Sequence, residues 1–278
     1  MRAVLPEFET VRLDLQAGVL RVTLNRPESR NALSDEMVAD LNALCAVLEN
    51  RTDIRALVLG GSNGHFCAGG DIKGFRAARA AQAPVEGTAD TMVATNRAFG
   101  AFLLRFNALP QVTIAVVEGS VLGGGLGLVC VSDIALATES ARFAVSETGL
   151  GLIPAQIAPF LVNRIGLTEA RRLALTGARF DGVEAARLGL VHWACADSTA
   201  LEAKCNASLA DIRRCAPHAN AATKALLLQV GRAPIETVLD HAAQAFAEAM
   251  CGTEAREGIA SFLEKRPARW IAAEGCDA

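Results

Sequence analysis

Short runs rich in β-branched residues recur along this chain, separated by helically patterned stretches or by clusters of glycine, and this alternation limits the fold more than any other feature. Val19-Leu20-Arg21-Val22-Thr23-Leu24 alternates, and with the extended segment from Phe8 it flanks Gln16-Ala17-Gly18, the pattern of a hairpin that Pro27 ends. Ser34 stands at an N-cap position, with Asp35 and Glu36 in the positively polarised first turn. Met37, Leu41, Leu44, Cys45 and Leu48 then recur at three- and four-residue spacing, which places them on one helix face. Arg55 to Leu59 reads as a buried strand stopped by Gly60-Gly61, and Val112 to Val117, Asp133 to Ala137 and Val191 to Ala196 repeat the theme. Strands alternating with helices predict an α/β core over residues 1–200. From Thr199 the chain is alanine-rich, with Pro217, Gly231, Pro234 and Gly252 as breaks, so residues 201–278 are expected to form a helical C-terminal region. Residues 77–90, small and polar, are expected to form a mobile segment.

Composition narrows the partners. A hydrophobic fraction of 51% with 21% charged residues suits a filled core, and a net charge of −3 without any Lys/Arg run argues against nucleic acid. The 8 cysteines are scattered without a CxxC pair, so free thiols in a reducing compartment are expected, and the four histidines and the cysteines lack metal-ligand spacing. Glu7, Glu9, Arg12 and Asp14 interrupt any apolar leader, and no uncharged run reaches the roughly 20 residues that span a bilayer. A soluble, cytoplasmic protein with no membrane partner is the resulting expectation.

Two turns carry the chemistry. Phe66-Cys67-Ala68-Gly69-Gly70-Asp71-Ile72-Lys73 runs from a strand end through small residues toward a helix, and Gly119-Ser120-Val121-Leu122-Gly123-Gly124-Gly125-Leu126-Gly127 does so again. Such turns let a ligand approach the backbone, and the first N–H groups of a helix have no partners inside it. Two such groups aimed at one oxygen make an oxyanion hole, although either turn alone also reads as an ordinary βα connection. The spacing fits neither a GxxxxGK[ST] phosphate loop nor a GxGxxG dinucleotide turn.

With these turns in view, the chain resembles the enoyl-CoA hydratase/isomerase (crotonase) superfamily. The similarity is carried in order by Leu24-Asn25-Arg26-Pro27 with Arg30-Asn31-Ala32-Leu33, the Phe66 to Lys73 turn, Gly123-Gly124-Gly125 and Ser132-Asp133-Ile134. It continues through Phe143 and Glu147 to Gly151-Leu152-Ile153-Pro154, Leu175-Thr176-Gly177 with Ala186 and Gly189-Leu190-Val191, and Phe262 to Arg266. The resemblance implies a spiral of ββα units with a helical C-terminal trimerisation region, assembled as a homotrimer or hexamer. It implies an acyl-CoA thioester as ligand, CoA arriving as part of the substrate, and no separate cofactor or metal. By similarity the backbone N–H groups of Gly70 and Gly124 form the oxyanion hole. Ala68, Asp71 and Ile72 line the CoA path, and Arg26 and Arg30 stand where basic side chains meet CoA phosphates. Phe262 and Lys265 match a C-terminal CoA contact, with core helix packing as the other reading of Phe262.

The carboxylates depart from the commonest pattern. Well-known hydratases of this superfamily use two glutamates, one two residues after the GGG triplet and one ahead of the G-x-I-P segment; here these positions hold Gly127 and Glu147. Glu147 is therefore the expected general acid/base. Ser146-Glu147 with Leu152 to Phe160 resembles the branched glutaconyl-CoA hydratases, which act on methylglutaconyl-CoA or isohexenylglutaconyl-CoA in leucine or acyclic terpene catabolism. The resemblance implies hydration of a branched enoyl-CoA, with a double-bond isomerase, a decarboxylase, or an inactive CoA- or RNA-binding relative as alternatives. His65, Arg76, Arg79, Arg97 and Arg105 are candidates to meet the second carboxylate of such a substrate. Cys67, Cys130 and Asp133 read as structural.

Overall fold

The computed structural model describes residues 5–72, 74 and 88–272, so Arg76, Arg79 and most of the expected mobile segment at 77–90 lie outside the described residues. Strands β1 (Val11–Gln16) and β2 (Val19–Leu24) form the expected hairpin, turning through Ala17 and Gly18, both at positive φ (45° and 71°). Helix α1 (Asp35–Leu48) starts at Ser34, whose hydroxyl accepts a hydrogen bond from Met37 N at 3.3 Å, and buries Met37, Leu41, Leu44, Cys45 and Leu48. Strand β3 (Ala56–Gly61) runs through the two glycines expected to stop it, pairing Gly60 with Thr23 and Gly61 with Leu24. A side chain at Gly61 would lie 1.9 Å from His65 O, so the sharp turn after β3 needs glycine there.

Helix α2 (Thr88–Asn107) leads to β4 (Val112–Val117) and then β5 (Ser120–Leu122), α3 (Gly124–Cys130), β6 (Ile134–Thr138) and β7 (Arg142–Ala144). After these come α4 (Ala158–Thr176), β8 (Arg179–Asp181), α5 (Gly182–Arg187) and β9 (Trp193–Cys195). One sheet has the order β1-β2-β3-β4-β6-β9 and is parallel from β2 onward; a small second sheet has the order β5-β7-β8. A parallel sheet needs both faces covered. Along β2, β3, β4 and β6, Leu20, Leu57, Ala115 and Ala135 point into the larger core, while Val19, Val58, Ile114 and Leu136 point into a smaller one.

Helix α6 (Ser198–Arg214) completes that smaller core with Leu201, Cys205, Leu209 and Ile212, at three- and four-residue spacing. The division near residue 200 thus falls within a helix that is a layer of the α/β unit. Beyond it lie α7 (Pro217–Leu227), α8 (Ile235–Cys251), α9 (Thr253–Leu263) and α10 (Arg269–Ala272), with Pro217, Pro234 and Gly252 at their boundaries. These helices bury little of themselves: α8 buries Val238, whereas Leu239, Phe246 and Met250 are exposed. Lys224 ties α7 to the sheet, donating to Asp133 Oδ2 at 2.7 Å and Gln111 O at 3.1 Å. Asp133 also accepts from Thr113 N and Oγ1, an arrangement that bridges strands β4 and β6.

Candidate active site

Parallel pairing brings the two glycine turns together. Cys67 N donates to Ser120 O at 2.9 Å and Leu122 N to Cys67 O at 3.0 Å, so the strand leading to Gly69-Gly70 runs beside the strand leading to Gly123-Gly124. The contact leaves no room for side chains. A Cβ at Gly125 would lie 2.7 Å from both Cys67 Cβ and Cys67 O, and one at Gly69 (φ 93°) would lie 3.0 Å from Leu122 O. Leu33 bridges the pair: its N–H donates to Gly69 O, its carbonyl accepts from Asp71 N, and its Cδ1 lies 2.8 Å from where a Gly124 Cβ would be.

The N–H groups of Gly70 and Gly124 have no acceptor among the described residues. Gly124 is the first residue of α3, preceded by Gly123 at φ 46°, so its N–H is one of the donors that a helix cannot satisfy internally. The first turn is held by the Leu33 backbone and by side chains on its approach. Buried Asn31 donates to Ser62 O (3.0 Å) and His65 O (2.7 Å) and accepts from Arg26 N and Ser62 Oγ. Arg26 in turn donates to Ala32 O at 2.7 Å and pairs with Asp71 at 3.0 Å.

Glu147 approaches from the segment after β7. A Cβ on Gly123 would lie 2.8 Å from Glu147 Oε1, so the carboxyl rests against the second turn. Leu150 N and Leu152 N donate to Glu147 O, and Thr148 Oγ1 donates to Ala174 O at the end of α4, which fixes this segment. Glu147 Oε2 is buried without a partner among the described residues. Burial pushes the carboxyl above its ordinary range, against a smaller downward pull from the backbone amides of Glu147 and Ser146. The second carboxylate position, Gly127, is closed by hydrocarbon: a Cβ there would lie 2.6 Å from Ile157 Cγ2 and 3.5 Å from Leu103 Cδ1.

The structure separates the remaining candidates. Ala68 N donates to Arg30 O, Ile72 is 52% exposed, and the exposed Arg30 side chain has no ion pair among the described residues, unlike Arg26. Phe262 is 82% exposed, which corrects the reading of it as core packing; Lys265 follows α9 at φ 53°. His65 Nδ1 accepts from Ser120 N, Arg105 is bound to Glu49, and Arg97 is exposed on α2. Burial pushes the Cys67 and Cys130 thiols up to about 12, so neither is a ready nucleophile. Sequence reasoning missed Asn31 as the clasp of the first turn, and Phe99, Leu103 and Ile157 as the apolar wall over α3; all depend on contacts distant in sequence.

Two adjoining βα turns with free backbone donors and a buried carboxyl, on a mixed sheet followed by a helical region, define the crotonase class of α/β proteins. The comparisons agree: the enoyl-CoA hydratase/isomerase family pattern matches residues 14–273, and the chain belongs to that family. It is 34% identical to "Enoyl-CoA hydratase ACTT6" of Alternaria alternata over 249 residues, 89% of this chain and 79% of that one. Among solved structures, Pseudomonas aeruginosa AtuE is 55% identical with a TM-score of 0.91, covering 95% of this chain and all (100%) of that one. An enoyl-CoA hydratase/isomerase from Marinobacter aquaeolei is 49% identical with a TM-score of 0.90, covering 94% and 99%.

Proposed function

We propose that this protein adds water across the α,β double bond of a branched enoyl-CoA of the glutaconyl type, with Glu147 as its single acid/base. The observation that carries this reading is Glu147 against the Gly123–Gly124 turn, one carboxyl oxygen unpartnered among the described residues and its proton affinity raised by burial. The thioester oxygen would accept from Gly70 N–H and Gly124 N–H, donors already oriented and in no need of reorganisation; one such donor is worth about 3–4 kcal/mol in the transition state. Ionised Glu147 takes a proton from water as its oxygen bonds to the β carbon. The electron pair of the double bond moves onto the thioester as an enolate, and Glu147 then returns the proton to the α carbon. A carboxyl whose pKa lies nearer neutrality serves both steps better than an ordinary one.

Arg30, Ala68 and Ile72 suit the CoA path. Arg26 and Asp71, bound to each other, suit the shaping of the Gly70 turn beside that path. Phe262 and Lys265 would meet CoA from a neighbouring copy in a trimer or hexamer, a reading supported by the apolar side chains left exposed on α8 and α9. A second reading, double-bond isomerisation, is favoured by the same solitary carboxyl, which alone suffices to carry a proton from one carbon to another.

The test is mass spectrometry of crotonyl-CoA, 3-methylglutaconyl-CoA and isohexenylglutaconyl-CoA after incubation with the protein and with Glu147→Gln. Gain of one water on a glutaconyl substrate, reduced about 10²–10⁴-fold in the variant, is expected. A shifted double bond at unchanged mass would establish the isomerase instead, and hydration unaffected by Glu147→Gln would remove Glu147 from the mechanism.

A further inference from the structure

We propose that the side-chain amides of Gln156 and Asn96 form the subsite that receives the distal carboxylate of the acyl group; this rests on the glutaconyl-type substrate proposed above. Gln156 Nε2 donates to Asn96 Oδ1 at 2.6 Å, linking the segment that follows Glu147 to helix α2. The link depends on a gap in that helix. A Cβ at Gly100, one turn after Asn96, would lie 1.9 Å from Gln156 Oε1, so the amide lies in a notch that any larger residue would fill. Glycine inside a helix costs roughly 1 kcal/mol against alanine. The notch is what that cost maintains.

Its position follows from helix geometry. Asn96, Phe99, Gly100 and Leu103 share one stripe of α2 by their three- and four-residue spacing. Phe99 Cζ lies 3.3 Å from where a Gly124 Cβ would be, and Leu103 Cδ1 lies 3.5 Å from where a Gly127 Cβ would be, so α2 and α3 run in the same sense. One turn earlier on α2, roughly 5 Å, Asn96 therefore stands in front of the first residue of α3, on the side toward which the Gly124 N–H opens. Asn96 Nδ2 has no acceptor among the described residues, and Gln156 Nε2 keeps a second N–H beyond its bond to Asn96. Neighbouring amide N–H groups with no protein acceptor among the described residues suit an anionic oxygen, and such charge-assisted hydrogen bonds are about twice as strong as neutral ones. Among the other described candidates, Arg105 is held by Glu49, His65 accepts from Ser120 N, and Arg97 is exposed on the same helix as Asn96.

Binding separates this subsite from the reaction. Calorimetry with two saturated thioesters that cannot be hydrated, 3-methylglutaryl-CoA and isovaleryl-CoA, compares ligands that differ by the tail carboxylate. The wild type is expected to prefer the carboxylated thioester by about tenfold or more, and Gln156→Leu and Asn96→Leu to erase that preference while leaving isovaleryl-CoA affinity unchanged. Gln156→Glu keeps the side chain's shape in the Gly100 notch and is expected to reverse the preference. In turnover, the effect appears in KM for 3-methylglutaconyl-CoA and not in kcat for crotonyl-CoA. A wild type that hydrates 3-methylglutaconyl-CoA but shows no preference, or variants that retain it, would overturn the subsite and leave the hydratase reading intact. A binding preference lost in the variants, without hydration, would leave the subsite standing and overturn the reaction assigned to it.

Discussion

The two glycine turns present the same kind of group, a free backbone N–H, yet they are built by different physics. The Gly69–Gly70 turn is clasped by hydrogen bonds: Leu33 N–H to Gly69 O and Asp71 N to Leu33 O, Arg26 joining Ala32 to Asp71, and Asn31 holding Ser62 and His65 on the approach to it. The Gly123–Gly124 turn is held more by exclusion, with positive φ at Gly123 and, at Gly125, no space for a Cβ against Cys67 Cβ and O. A clasp of hydrogen bonds can be weakened one bond at a time, whereas an excluded volume fails when a single carbon is added. The two turns therefore adjoin while differing in how each tolerates change.

The largest expected effect comes from breaking the exclusion. Gly125→Ala puts a carbon 2.7 Å from Cys67 Cβ and O, and should cost about 10²–10³ in kcat as the Gly124 donor leaves its aim, measurable by steady-state kinetics. Adding Cys67→Ala should restore little, because the clash is with the β carbon and the carbonyl; full rescue would show that the sulfur sets the spacing. Next is the clasp. Asn31→Ala should lower stability by about 2–3 kcal/mol in urea titration while reducing kcat only several-fold, since it strands buried carbonyls that Asn31 now satisfies. A kcat loss matching that of Gly125→Ala would mean the two turns are equally brittle. Smaller still, Asp71→Asn should cost about 1 kcal/mol or less, because the Arg26–Asp71 pair is partly exposed and Arg26 keeps Ala32 O.

The last prediction concerns the carboxyl against the second turn. The folded state raises the Glu147 pKa above its ordinary 4.5, so ionisation opposes folding: the penalty is absent below that value and complete above the folded one. Glu147→Gln should therefore match the wild type in stability near pH 4 and exceed it near pH 8, read from urea midpoints at the two values. A difference of the opposite sign would mean that the neighbouring turn stabilises the carboxylate.

Much of this was legible in the sequence, and for stated reasons. The β1–β2 hairpin, the Ser34 cap and the buried face of α1 follow from local periodicity and side-chain chemistry, and the structure reproduces them. Strands β7 and β8, three residues each, are too short to show any period. The glycines marked both turns, but the partners that shape them did not stand out: Asn31 reaches His65 across 34 positions, and Gln156 reaches Asn96 across 60. Phe262 shows a further limit. An apolar residue at helical spacing reads as core until the rest of its helix proves to bury almost nothing.

The apolar lid over Gly127 also bears on how this chain can change. Installing a glutamate at 127 alone would drive its side chain into Ile157, and trimming Ile157 alone would open a void above a glycine. Each single step is worse than either end point, so a two-carboxylate descendant is reachable only if both positions change together or a milder residue comes first. One methyl group thus stands where a side chain at 127 would begin, and clearing it takes coordinated substitutions at two positions.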